Sequence, residues 1–319
     1  MKTAIGAADG VDGVDGVDGV DGVSGVVLAV GAPRPIGIVP GPAMIKDGKP
    51  EIDVSGQWPF PPGTNWPNAS PPDDGFPRNY WSSIHYAITV LGDFVRAKGE
   101  GDLVWHSDKI YRELKKILAG ADVELEIKEL LELVRYRAGV SSEALAQRSG
   151  VWAYWRGILM FDAWSHPRTA DLIEVAQRVG QFQAMHYKKR FNRSRPSQYS
   201  PSLMPVIDPP GHASFPSGHA TEAHLISLCL KEVMPPAASD GVDGKGFETS
   251  PLGQMAYRVA RNREVLGVHY PSDSAAGKKL AEMSLGILKK CASAQELFDE
   301  AKAEWPQKAA TKQKAATKK

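Results

Sequence analysis

Long apolar runs, cysteines and an excess of charge of one sign are scarce in this sequence of 319 residues. About 18 uninterrupted apolar residues, which a membrane-spanning helix needs, occur nowhere, because prolines break the longest apolar-leaning run, 25–45. The formal net charge of +1 excludes a global field that would attract nucleic acid or an anionic membrane. The two cysteines, Cys229 and Cys291, lie in apolar helical contexts, so we expect buried thiols and no disulfide framework.

A secretory signal is not visible either. The first residues, MKTAIGAADG, carry one lysine but neither an apolar core nor a small-residue cleavage site. We therefore expect a cytoplasmic, soluble protein with no membrane span and no nucleic-acid partner. A hydrophobic fraction of 42% in a chain of this length predicts one large domain with extensions.

The composition divides the chain into four parts. Residues 1–25 contain five Asp-Gly-Val repeats and are predicted to form a flexible arm. Residues 26–78 are rich in proline and glycine and are predicted to be an irregular segment that wraps over the body. Residues 79–305 form the predicted catalytic domain, and the lysine-rich residues 306–319 a disordered tail.

Helical periodicity dominates the third part, and alternating strand patterns are hard to find after residue 50. The pattern predicts an all-α fold, a helical bundle of a size that can pair as a homo-oligomer. The predicted helices are 80–97, 103–118, 123–138, 142–163, 169–189, 218–234, 252–266 and 272–305, with the last one interrupted.

The stretch FPSGHATEAH, 215–224, sets a serine, a glycine and a histidine at the start of a predicted helix. Ser217 is a natural N-cap, and Gly218 has no side chain to keep an anion from the backbone N–H groups. His219 would lie beside that anion and could give a proton to a leaving oxygen. Taken alone, the stretch is also compatible with an ordinary helix start.

Two further stretches carry cations or a histidine. In KKRFNRSRP, 188–196, Lys188 and Arg195 are seven residues apart at a predicted helix end. Lysine offers a point charge to a phosphate-like group, and arginine a planar fork. In NREVLGVHYPSD, 262–273, Arg263 precedes His269 by six residues and Asp273 follows it by four. A carboxylate that holds one ring nitrogen leaves the other as a nucleophile.

In their order and spacing, the three stretches closely resemble the signature of the type 2 phosphatidic acid phosphatase and vanadium-dependent haloperoxidase superfamily. The resemblance covers about residues 185–277. One position departs from the pattern, because Asn262 stands where that superfamily commonly has serine. The resemblance implies the helical bundle of that superfamily for the catalytic domain.

The resemblance also implies a role for each matching residue. His269 would attack phosphorus and form a phosphohistidine, oriented by Asp273, while His219 protonates the leaving alkoxide and later activates water. The residues expected to bind the phosphate or vanadate oxygens are Lys188, Arg195, Ser217, Gly218 and Arg263. His212, close to these in sequence, could tune the acid–base chemistry.

Two functions follow from this resemblance as alternatives, and a third, from a different class, is kept beside them. The first is a metal-independent phosphoric monoester hydrolase of the acid phosphatase type, with no cofactor and a small-molecule phosphate ester as substrate. The second is a vanadium-dependent haloperoxidase, with vanadate bound through His269 and with peroxide and halide as substrates. Tyr270-Pro271-Ser272 resembles the phosphatases and favours the first. The third is a catalytically silent anion-binding protein.

Overall fold

A computed structural model describes residues 44–46, 49–51, 76–99, 102–148, 150, 153–241 and 246–306. The predicted Asp-Gly-Val arm, nearly all of the predicted lysine-rich tail and most of the segment 26–78 lie outside these residues. The described residues fall into two compact units, one before Ser83 and one from Ser83 onward.

The first unit contains a short antiparallel ladder within the segment predicted to be irregular. Strand β1, Met44–Lys46, pairs with β2, Lys49–Glu51, with Met44 opposite Glu51. A 3₁₀ turn, Arg78–Tyr80, follows at the end of this unit.

The second unit is built almost entirely of helices, which confirms the predicted all-α bundle. Its only described strands, β3 (Lys98–Gly99) and β4 (Asp102–Leu103), form a two-residue ladder. The α-helices are α1 (Ser83–Arg96), α2 (Asp108–Ala119), α3 (Val123–Leu133), α4 (Arg137–Ala146), α5 (Ala153–Leu159), α6 (Pro167–Phe191), α7 (Pro196–Tyr199), α8 (Gly218–Val233), α9 (Pro236–Ser239), α10 (Pro251–Val265), α11 (Pro271–Leu288) and α12 (Ala292–Ala303). Short 3₁₀ turns lie at Val134–Tyr136, Pro201–Leu203 and Phe247–Thr249.

Helix α8 is the centre of the bundle and packs against α6, α10 and α11. Almost all of its residues are buried, polar ones such as Glu222 and His224 included, as expected for a helix surrounded by others, and only Leu228, Lys231 and Glu232 near its C-terminal end are partly or fully exposed. Helix α11 approaches α8 closely at Gly277, where an added Cβ would lie 2.8 Å from Ala220 Cβ and 2.8 Å from Ser217 O. Cys229 and Cys291 are buried free thiols, as predicted.

Three helix predictions are wrong, one of them only at its start: the helix predicted over 103–118 begins at Asp108, and Leu103 belongs to strand β4. Residues 142–163 do not form one helix: α4 ends at Ala146, and α5 begins only at Ala153. The break carries a tertiary contact, because the backbone carbonyl of Gln147, just after α4, accepts a hydrogen bond from His219. The helix predicted over 123–138 ends at Leu133 and continues as a 3₁₀ turn into α4.

Helix α6 is capped by a residue from the far end of the chain. The carboxylate of Glu304 accepts hydrogen bonds from Arg168 N (2.7 Å), Thr169 N (2.8 Å) and Thr169 Oγ1 (2.8 Å). Trp305 Nε1 donates to the same hydroxyl at 3.0 Å. These bonds satisfy N–H groups that lack partners inside the first helical turn and complement the positive end of the helix dipole.

No helix in the described part of the chain is long and apolar enough to cross a membrane.

Candidate functional site

Four helix ends meet at the candidate site: the C-terminal ends of α6 and α10 and the N-terminal ends of α8 and α11. Helix α6 ends at Phe191, and the left-handed conformation of the next residue, Asn192 (φ 48°), turns the chain sharply before Arg195. Between α10 and α11, Gly267 has φ 82°, and a Cβ there would lie 2.9 Å from Arg137 Nη2. Glycine is therefore required in the turn that presents His269.

His269 and Asp273 form a buried pair in this turn. His269 Nδ1 lies 3.0 Å from Asp273 Oδ2, and neither side chain is exposed to solvent. Donation of the Nδ1 proton to the carboxylate leaves the Nε2 lone pair available on the other side of the ring. Nε2 faces Arg195 Nη1 at 3.2 Å. The predicted nucleophile is thus oriented by an acid on one side and lies beside a cation on the other.

Asp273 is held as a carboxylate. It also accepts hydrogen bonds from the backbone N–H of Tyr270 (3.0 Å) and from the hydroxyl of Ser214. Burial alone would raise the pKa of Asp273, but the hydrogen bond from His269, the charge of Arg193 and the hydrogen bond from Ser214 outweigh burial and lower the pKa to about 2.

The two predicted cations of the KKRFNRSRP stretch are both brought to this pair. Arg195 is fixed by the carbonyls of His212 (from Nε, 3.1 Å) and Val268 (from Nη1, 2.9 Å). Lys188, in the last turns of α6, donates from Nζ to the carbonyls of Ala213 (2.9 Å) and Ser214 (3.0 Å). Both side chains are almost fully buried, so their charges act in a medium of low dielectric constant.

The helix start predicted at Pro216–His219 is present. Ser217 is the N-cap of α8, and its hydroxyl accepts a hydrogen bond from Ala220 N at 3.3 Å. Its own N–H donates to the carbonyl of Asp273 at 3.0 Å, which fixes the first turn of α8 beside α11. Gly218 and His219 are therefore next to the His269–Asp273 pair. The positive end of the α8 dipole lies there too.

Arg263 and His219 are joined by a residue that the motifs do not include. Gln147, fully buried just after α4, accepts a hydrogen bond at its backbone carbonyl from His219 Nε2 (3.3 Å). Its side-chain oxygen accepts from Asn262 Nδ2 (2.9 Å) and Arg263 Nη2 (3.4 Å). Arg263 Nη2 also donates to the carbonyl of Ala144. The C-terminal end of α4 thus orients two of the predicted site residues.

All eight predicted site residues are buried, and the contacts above bring them to one region. His212, predicted to lie near the anion, contacts Arg195 Nη2 through Nδ1 at 3.0 Å. Among the described residues, no group of three or more His, Cys, Asp or Glu side chains is arranged to hold a metal ion.

Sequence reasoning missed four residues of this site: Gln147, Ser214, Arg193, which pairs with Asp273 at 2.8 Å, and Glu126, which pairs with Arg193 at 2.9 Å. Arg193 and Ser214 lie within or beside the motif stretches, so a search for extra polar residues there could have found them. Glu126 and Gln147 lie in ordinary amphipathic helical sequence, where nothing distinguishes them from surface residues.

No protein-family model and no curated protein sequence matches this chain. One solved structure to which the chain is similar is a transmembrane PAP2-type phosphatidylglycerolphosphate phosphatase from Bacillus subtilis. The identity is 16%, over 65% of this chain and 94% of that one, with a TM-score of 0.26. A TM-score of this size carries no information on the fold or activity of this chain.

Proposed function

We propose that this protein is a phosphatase that hydrolyses phosphate monoesters through a phosphohistidine on His269, without a metal ion. The observation that carries the proposal is the buried His269, with Nδ1 at 3.0 Å from Asp273 and Nε2 at 3.2 Å from Arg195. A nucleophile of fixed tautomer beside a fixed cation is what attack on an anionic phosphoryl group requires. The resemblance of the three motifs to the type 2 phosphatidic acid phosphatases also supports it.

In the first step, His269 Nε2 forms a bond to phosphorus as the bond from phosphorus to the ester oxygen breaks. His219 gives its proton to the departing alkoxide. Asp273 stabilises the positive charge that develops on the His269 ring, as the acid of a catalytic triad does. In the second step, His219 takes a proton from water, which attacks phosphorus and releases inorganic phosphate and neutral His269.

The charge on the phosphoryl oxygens in the transition state would be stabilised by Lys188, Arg195 and Arg263 and by the first turn of α8. Backbone carbonyls hold each cation in place, so the protein need not reorganise during the reaction. Three fixed positive charges supply the role that Mg²⁺ has in many other phosphoryl-transfer enzymes.

The test is hydrolysis of p-nitrophenyl phosphate by the purified protein, in EDTA, with and without orthovanadate. We expect turnover that EDTA leaves unchanged. Vanadate should inhibit it, because the trigonal-bipyramidal form of vanadate resembles the transition state of phosphoryl transfer. His269→Ala should lower kcat by at least about a thousandfold. A matched control is His186→Ala, since the ring of His186, on α6, packs edge-on against Trp105, which is not one of the eight site residues, and should be dispensable for turnover.

Rapid acid-free quenching with labelled substrate should also trap a base-stable, acid-labile phosphohistidine in the wild type alone. Turnover by His269→Ala at the wild-type rate would refute the proposal. Halogenation that requires vanadate, peroxide and halide would favour the haloperoxidase alternative, which the same protein sample tests. Equal anion affinity of wild type and His269→Ala, with no turnover by either, would indicate the silent anion-binding protein.

A further inference from the structure

A second layer of charge lies behind the His269–Asp273 pair. Arg193, in the turn after α6, donates from Nη1 to Asp273 Oδ1 at 2.8 Å and to Ser272 Oγ at 2.7 Å. These bonds use the carboxylate oxygen that does not face His269. The guanidinium also lies 3.7 Å from the centroid of the Tyr270 ring, and its side chain is only 10% exposed.

The other side of Arg193 is bound by a carboxylate from a helix that carries no motif. Glu126, on α3, accepts from Arg193 Nη2 at 2.9 Å through Oε2. Its Oε1 accepts from the backbone N–H of Ser272 at 2.6 Å, at the start of α11. A continuous line of buried, alternating charge therefore runs from Glu126 through Arg193 and Asp273 to His269.

The charges in this line act on the nucleophile with opposite signs. His269 can attack only as the neutral imidazole, a form that neighbouring positive charge favours and neighbouring negative charge disfavours. The charge of Arg193 offsets that of Asp273, and the charge of Glu126 in turn offsets that of Arg193. Charges a few ångströms apart in a buried site are poorly screened, so each is felt along the line.

We propose that Arg193 and Glu126 are positioning residues that set the pH range in which His269 is active, Arg193 extending it to lower pH and Glu126 limiting it. This role rests on the proposed phosphatase function. The other titratable or charged groups around the pair are Lys188, Arg195, His212, His219, Arg263 and Tyr270, and Tyr199 acts on Tyr270.

The test compares the acidic limb of the pH profile of kcat/KM for p-nitrophenyl phosphate in four variants and the wild type. Arg193→Met should move the limb to higher pH by about half a unit to one unit. Glu126→Gln should move the limb to lower pH by a smaller amount, because Glu126 lies behind Arg193 and is therefore further from the His269 ring. Arg193→Lys, which keeps the charge, should restore the wild-type position. The ionisation of the substrate is common to all variants and cancels.

The fourth variant, Arg190→Met, is a matched control. Arg190 lies 3.7 Å over the ring of Tyr111 and pairs with Asp108 at 3.6 Å, so it makes the same kinds of contact without touching the site. Its limb should coincide with that of the wild type. Thermal unfolding of each variant shows whether it is folded at the assay temperature.

A readout without turnover separates this inference from the proposed function. The ring of His269 can be titrated by NMR in histidine-labelled protein, with its signal assigned by loss in His269→Asn. Titration midpoints of His269 that move in opposite directions in Arg193→Met and Glu126→Gln support the charge balance, whether or not the wild type hydrolyses the substrate. An absence of hydrolysis would refute only the proposed phosphatase function. Displacements in one direction, or none in folded variants, would overturn the inference, since a merely structural role predicts no opposition of sign.

Discussion

The contact between α8 and α11 at Gly277 makes a single methyl group a sensitive probe of the site. In Gly277→Ala, the new Cβ would lie 2.8 Å from Ala220 Cβ, 2.8 Å from Ser217 O and 3.0 Å from Thr221 N. Two of these are backbone atoms of the first turn of α8, which cannot rotate away. Since an ordinary contact begins near 3.4 Å, the helices must separate by about 0.6 Å at this point.

The expected loss of stability is the difference between two effects. Overpacking of a tight contact costs about 1–3 kcal/mol, and alanine is favoured over glycine in a helix by about 0.5–1 kcal/mol. We therefore expect a net loss of about 1–2 kcal/mol in the free energy of unfolding and a fall of about 2–8 °C in Tm. Because the displaced turn carries Ser217, Gly218 and His219, kcat should fall by at least about tenfold.

Gly286→Ala is the control on the same helix. Gly286 has no atom within 4 Å of an added Cβ and is exposed, so alanine should raise Tm slightly and leave kcat unchanged. Urea unfolding and the p-nitrophenyl phosphate assay measure both variants. Wild-type stability and activity in Gly277→Ala would refute the close contact between α8 and α11.

Three further predictions concern single side chains. Glu304→Ala removes the acceptor for two N–H groups and the Thr169 hydroxyl at the start of α6, and should lower the free energy of unfolding by about 1–2 kcal/mol; an unchanged urea midpoint would contradict this. The lowered pKa of Asp273, about 2 against a usual 3.8, means that its stabilising contribution is complete above about pH 4 and is lost as the pH falls toward 2. Asp273→Asn should therefore lose less stability than the wild type over that interval, and parallel acid-unfolding curves would count against the ion pair. Arg263→Lys should lower kcat/KM by at least about tenfold, because lysine lacks the planar fork; equal kcat/KM would exclude a bidentate role.

The helices of the catalytic region could be predicted well where hydrophobic periodicity and capping residues agree. The helix predicted over 218–234 is observed as Gly218–Val233, because Ser217 caps its start and apolar residues recur at helical spacing along its buried faces. The helix predicted over 142–163 failed because its interruption depends on contacts with His219 and Asn262, which are distant in sequence. Tertiary contacts of this kind leave no local signal.

In the candidate site, too, the residues with a sequence signal could be predicted and those held only by tertiary contacts could not. The order and spacing of the motifs predict which residues come together, and Arg195, His269 and Asp273 do contact one another in series. The supporting residues could not be predicted, because Gln147 acts in part through its backbone carbonyl and Glu126 through a partner that the sequence leaves unspecified. A backbone carbonyl is present at every residue and so gives no pattern to search for.

The dependence of the site on α3 and α4 bears on its transfer to other proteins. An engineer who grafts residues 185–277 into a different helical scaffold would carry every motif residue. The graft would lack Glu126 behind Arg193, and it would lack the Ala144 and Gln147 oxygens that hold Arg263 and His219. A minimal portable unit therefore begins near residue 123, some sixty residues before the first motif.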